Sequence, residues 1–312
     1  MFREGSPIRR RRLWSSQAAV KGYGLARRAA ERLGLQVVLK TYYSPIPDLA
    51  HLPEGVWEAR DPLRGIAFDL DAQMGFVERD LAPHIAELAW GTGVAPEHSY
   101  EPDNDSYPTP DARVLYAMLR HLRPERVVEL GSGQTTRVMA QACRENDRDG
   151  APARLRAFDP FPTAIDDSLP GLTELARVKA QDVPDEVFAE LQSGDVLFVD
   201  TTHTVKIASD VNHIVLRVLP LLREGVIVHV HDIFLPYEYP RFFFVDFALY
   251  WAEQYLLQAF LAFNPSFEVL CAVHALGRER GPRMAAAGAL TPGEIGSSFW
   301  IRRRERTSNQ AV

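Results

Sequence analysis

A doubly wound α/β sheet is the fold this sequence predicts, on three observations. From Asp111 onward, short apolar runs alternate with segments whose apolar residues recur at three and four positions. One run, Val127-Val128-Glu129-Leu130, passes through Gly131-Ser132-Gly133 directly into helix-like sequence. Nearly every expected strand also ends on an acid, and a parallel sheet takes its ligands at that edge, where the strand order reverses.

Asp111 is placed to cap a helix whose Val114, Leu115, Met118, Leu119 and Leu122 form one apolar face. Strands are expected over residues 126–130, 155–159, 175–180, 196–200, 226–230, 267–275 and 297–302. Helices are expected over 135–142, 185–192, 209–222 with Ser209 as its cap, and an aromatic-rich 243–263. A loop rich in Gly, Pro and Ala leads to the last strand. Upstream, Tyr42-Tyr43-Ser44-Pro45-Ile46-Pro47 and residues 95–110 read as loops around a helical rhythm at 74–89. The division expected is an N-terminal arm and substrate cap over 1–110, a ligand-binding domain over 111–303 and a flexible tail over 304–312.

With 312 residues, 46% of them hydrophobic and 24% charged, the chain can bury a full core. Its formal charge of −6 argues against nucleic acid as the partner. Cys143 and Cys271 fit neither a zinc spacing nor a disulfide framework, and read as buried thiols in a reducing compartment. No apolar run approaches the roughly 20 residues that span a bilayer. Arg9 to Arg12, with Leu13 and Trp14, lack a following apolar stretch of signal-peptide type, so a solvated arm and a cytoplasmic protein are expected.

The glycine hinge lets a ligand approach the backbone beside the unpaired N–H groups of a new helix. It is no dinucleotide fingerprint, since the third glycine would fall at Thr136. A turn of this kind can also be purely structural. Asp159, closing the second strand, can accept from both hydroxyls of a ribose, or can simply start a turn before Pro160. Two neighbouring strands bring Asp200, His231 and Asp232 to one place, with His203 on the adjoining loop. Crowded carboxylates perturb one another's ionisation, and a cation or a reacting substrate resolves the conflict. His203 and His231 are candidate general bases, whereas His229, in mid-strand, reads as a hydrogen-bonded core residue.

On these residues the chain resembles the class I S-adenosylmethionine-dependent methyltransferases over roughly residues 111 to 275. It is most similar to a bacterial branch with V-D-x-x-H and H-V-H-D-I-F-x-P-x-x-Y-P segments, here Val199 to His203 and His229 to Pro240. The segment Trp251-Ala252-Glu253-Gln254-Tyr255 is similar to the branch's W-N-E-Q-Y, altered at Ala252. The resemblance implies a Rossmann-like, mostly parallel seven-stranded sheet whose last strand is antiparallel. It implies S-adenosylmethionine bound by Glu129, Gly131, Ser132, Gly133 and Asp159, with Asp182 on the adenine. It implies catalysis by Asp200, His203, His231 and Asp232. Catechol-type relatives hold magnesium on an Asp and an acid–amide pair. Asp200, His231 and Asp232 stand at those positions, so magnesium or manganese is a further candidate, although imidazole suits softer ions. The acceptor expected is a hydroxyl on a glycan or small natural product, walled by Tyr42, Tyr43 and the aromatics from Pro236 to Phe244. The rival readings are a nicotinamide-dependent oxidoreductase, against which Thr136 counts, and a nucleoside-binding protein without catalysis. An oligomer is compatible with the sequence.

Overall fold

A parallel sheet buried on both faces needs strands that are apolar throughout, and Val196–Val199 and Ile227–Val230 are buried at every position. The structure, a computed structural model, describes residues 17–304. Two compact units result, Met1–Leu52 and Pro53–Val312. The first contains the helix Gln17–Glu31 and the exposed pair Tyr42 and Tyr43, whose rings meet edge-on at 5.5 Å. The Arg9–Arg12 arm and residues 305–312 of the expected tail lie outside the described residues.

The second unit is built on a seven-stranded sheet. Its strands are β1 (Arg126–Leu130), β2 (Arg154–Phe158), β3 (Glu174–Ala176), β4 (Val196–Val199), β5 (Ile227–Val230), β6 (Phe267–Ala272) and β7 (Phe299–Arg303). The spatial order is β3-β2-β1-β4-β5-β7-β6, with β1 to β5 parallel and β7 antiparallel to both of its neighbours. This is the doubly wound, Rossmann-like arrangement, and the order reverses between β1 and β4. Register places the strand ends level: Leu130 pairs with Phe158 and Val199, and Val199 with Val230. One further ladder bond extends each end. Gly131 N–H donates to Phe158, Asp159 to Ala176, Asp200 to Leu130 and His231 to Val199, all at 2.9–3.0 Å. Gly131, Asp159, Asp200 and His231 therefore stand in one row along the carboxyl edge.

Several expected elements change. The helix Thr109–Leu122 has its cap position at Pro108, three residues earlier than expected, so Asp111 is not its cap but a buried first-turn acid. Its carboxylate instead accepts the Ser297 and Ser298 N–H groups at 2.8 and 2.9 Å. Ser209 does cap its helix, accepting from Asn212 N–H at 3.2 Å, although the helix relaxes into a wider turn over Ile214–Val218. The expected helix at 243–263 is two pieces, Arg241–Val245 and Glu253–Leu261. β6 ends at Ala272, and the expected loop beyond it begins as a helix, Val273–Ala286, broken at Arg280 before Pro282. Upstream, the helical rhythm becomes Leu70–Phe76, capped by Asp69, and continues to Ala86. Met74, Val77 and Leu81 from this stretch are fully buried in the same core as the sheet. Cys143 and Cys271 are free, buried thiols. None of the described helices is long and apolar enough to cross a membrane.

Candidate active site

The hinge after β1 is shaped by its neighbours. Gly131 has φ 94°, and a Cβ there would lie 2.0 Å from the Asp200 carbonyl oxygen. The glycine thus lets β4 come close, in addition to any role toward a ligand. A Cβ on Gly133 would meet no atom within 4 Å, so the space over the hinge is open. Thr136, where a dinucleotide fold would carry glycine, accepts the Gly133 N–H at 2.9 Å through Oγ1. Ser132 Oγ donates to Asp159 Oδ2 at 2.8 Å, tying the hinge to the end of β2. Asp159 also accepts the Phe161 N–H at 2.7 Å, so it starts a turn and faces the cleft at once. Glu129 is fully buried; Thr135 Oγ1 donates to its Oε1 at 2.5 Å while Oε2 has no partner. Burial, against the hydrogen bonds of Thr135 and Thr136, raises its pKa to about 8.

A cavity of about 480 Å³ opens between these strand ends, walled by Gly131, Asp159, Lys179, Gln181, Asp200 and Asp210 among others. Glu129, Ser132 and Gly133 are not among its walls, and neither is Asp182. It sits exposed in the turn Ala180–Asp182, because β3 stops at Ala176 and the chain tightens before the expected strand end. Lys179 and Gln181 occupy the cleft instead.

At the other side of Asp200 the structure brings together all four expected catalytic residues. His203, in a left-handed conformation with φ 55°, sets Nε2 3.2 Å from Asp200 and 3.7 Å from Asp232. His231 Nδ1 lies 3.6 Å from Asp200 and 3.5 Å from Asp232. Three further residues, not anticipated as site residues, complete the network. Glu253, fully buried, meets His203 Nδ1 at 2.9 Å. Asp111 lies 3.5 Å from His231 Nε2, and Ser297 Oγ bridges His231 and Asp232 at 3.2 and 3.0 Å. Trp251 packs on His203 at 4.3 Å and Phe243 on Trp251 at 4.9 Å, an aromatic wall beside the cluster. His229 is a core residue, stacked on Phe198 at 4.0 Å and bonded to Ser298 at 2.9 Å; burial pushes its pKa well down.

Charge decides what these groups can do. Burial alone would lower both site histidines, but the carboxylates outweigh it. Asp200 and Glu253 bring His203 to about 10, and Asp232 and Asp200 hold His231 well above its ordinary value. Burial would raise Asp200 and Asp232, and the imidazoliums hold both below the carboxylate range instead. The carboxylates thus favour the protonated form of both rings, which makes either a poorer base near neutral pH. His203 and His231 both lie within ion-pair distance of Asp200 and Asp232 and so can offset their charge. The Asp200–His231–Asp232 contacts have ion-pair spacing, and among the described residues no group of three or more His, Cys, Asp or Glu is arranged to hold a metal ion.

A raised histidine pKa stabilises the fold fully below about 6.5 and loses that contribution as pH rises through the folded value near 10. Thermal melts should therefore show stability falling between pH 7 and pH 10, by at most about 5 kcal/mol from His203. Glu253→Gln removes one partner of His203, and the alkaline loss should move to lower pH. Identical melting profiles for the two proteins across this window would refute the pairing.

The family model for a methyltransferase domain matches residues 128–233. No curated protein gives a significant match. Among solved structures, an apo form of CmcI is 18% identical, with 84% of this chain and 90% of that one covered and a TM-score of 0.40. CmcI with Mg-SAM is 19% identical, with 84% and 90% covered and a TM-score of 0.38. A methyltransferase from Geobacter sulfurreducens is 16% identical, with 82% and 91% covered and a TM-score of 0.37. Every cofactor and catalytic residue expected from the sequence falls within 128–233, so the strand-end row lies inside the stretch similar to a methyltransferase domain.

Proposed function

We propose that the chain is an S-adenosylmethionine-dependent O-methyltransferase acting on a hydroxyl of a glycan or small natural product. One observation carries the reading: Asp200 belongs both to the wall of the hinge cleft and to the buried imidazolium–carboxylate cluster. Donor and acceptor sites therefore adjoin across a single side chain. Glu129, Gly131, Ser132, Gly133 and Asp159 hold the cofactor, with Lys179 and Gln181 in the place expected of Asp182. When bound, the cofactor supplies an electrophilic methyl group on a sulfonium.

Asp200, whose side chain is 27% exposed, accepts the acceptor's O–H and turns the oxygen lone pair toward the cleft. His203 and His231 keep Asp200 and Asp232 ionised and fixed, and Glu253 fixes His203 in turn. Most of the rate then comes from holding the oxygen in line, since a well-placed nucleophile gains about 7–11 kcal/mol over a free one. The proton leaves late, from the alkylated and strongly acidic oxygen, through Asp200 to the solvent that its exposed edge meets. The aromatic wall of Phe243 and Trp251 suits the face of a sugar or an aromatic ring. Asp200, His231 and Asp232 are the residues a magnesium or manganese ion would use, and no step here depends on one.

Calorimetry with S-adenosylhomocysteine and with NAD, each with magnesium and with EDTA, tests the proposal. Binding of S-adenosylhomocysteine alone, unaffected by EDTA, is the expected result. Binding of NAD instead would overturn it, and a strict magnesium requirement would replace the imidazolium counter-charge with a metal.

A further inference from the structure

At the opposite, amino-terminal edge of the sheet, a second cavity of about 520 Å³ is walled by Gly194, Gly225, Glu268, Arg302, Arg303 and Arg304 among others. One carboxylate faces three guanidiniums there. Glu268 pairs with both Arg302 and Arg304. Arg303 has no carboxylate partner among the described residues. Its guanidinium lies 5.0 Å from the Phe267 ring centre, and its Nε is buried without a hydrogen bond. The floor is open at Gly194, where a Cβ would meet no atom within 4 Å, whereas at Gly225 Ser193 fills that space. A third cavity of about 390 Å³, whose walls include Ile66, Leu261, Phe263, Phe267 and Val269, shares Pro265 and Arg304 with the second. A cationic chamber thus adjoins an apolar one, and each volume lies within the roughly 300–1,000 Å³ typical of small-molecule sites.

We propose that this pair of cavities is a binding site for a free, single-chain anionic amphiphile, its head on the arginines and its tail against Phe263, Phe267 and Val269. The charge excess selects the head, because the half-buried Arg303, without a carboxylate partner among the described residues, gains more from an anion than from water. The apolar chamber selects the tail. The site shares no wall with the hinge cleft, so it is independent of the methyl-transfer reading.

Calorimetry on the full chain with decanoate, decanol and acetate tests the site. Decanoate should bind saturably and at least about tenfold more tightly than decanol or acetate. Arg304→Gln should weaken decanoate about tenfold or more, as one charged contact is lost. Phe263→Ser, at an exposed position and so safe for folding, should weaken decanoate and leave acetate unchanged. Lys206→Gln, in the hinge cleft, should change nothing. Equal binding of decanol and decanoate would overturn the proposal. So would decanoate binding unaffected by both Arg304→Gln and Phe263→Ser, or displaced by S-adenosylhomocysteine.

Discussion

Asp200→Asn is expected to lower kcat by about 10²–10³-fold while leaving the affinity for S-adenosylhomocysteine unchanged. Asparagine keeps the shape of the side chain but removes the acceptor of the hydroxyl proton. It also leaves His203 and His231 with one fewer counter-ion, at 3.2 and 3.6 Å. Removing one partner of a fully buried pair costs about 3–5 kcal/mol, and the cost here is smaller because part of Asp200 faces solvent. Turnover must therefore be measured on protein shown by circular dichroism to be folded. Turnover within tenfold of the parent, on folded protein, would remove Asp200 from the chemistry.

Gly131→Ala should cost about 3 kcal/mol or more of stability. Two penalties combine at one atom. The residue adopts φ 94°, which an alanine takes only under strain, and the new methyl would sit 2.0 Å from a backbone carbonyl that cannot rotate away. Relief requires β1 and β4 to part at their carboxyl ends, where Asp200 donates its N–H to Leu130. The melting temperature should fall, and cofactor affinity with it. Gly75→Ala is the control, because the residue is helical and a methyl there meets no neighbouring atom. A Gly131→Ala protein as stable as the parent would show that the close approach is not obligatory.

The sheet was legible in the sequence because parallel strands buried on both faces are continuous apolar runs, and each of the seven expected strands overlaps an observed one. The level row of Gly131, Asp159, Asp200 and His231 was legible because strands of similar length in register deliver their ends together. The break at 246–252 was not. Between Phe243 and Phe263 there is neither glycine nor proline, and Ala248 takes φ 54° without the usual signal. The aromatic spacing that reads as one helix face is satisfied by packing instead: Phe243 on Trp251, and Phe244 on Trp57 at 5.7 Å and Tyr250 at 6.1 Å. At the end of β6 the apolar residues run on from Cys271 to Leu276 with only His274 between them, and such a run does not announce where strand becomes helix.

The partners of the two histidines were hidden for another reason. Glu253 stands 50 residues beyond His203, inside a segment noted only for its resemblance, and Asp111 has the sequence context of a cap. Their roles follow from tertiary proximity, which periodicity does not encode. The raised pKa of both rings has the same origin, since it depends on how many carboxylates surround each ring.

β7 lies between β5 and β6, yet it follows every other strand in the chain. During synthesis the outer edge of β5 stays unpaired until residues 299–303 emerge, and an unpaired edge invites association with other chains. The two serines just before β7 are those anchored by Asp111, and Ser297 spans His231 and Asp232. A nascent chain carrying every acid and histidine of the cluster thus still lacks the clasp that aligns them, and the cluster is complete only when β7 pairs with β5.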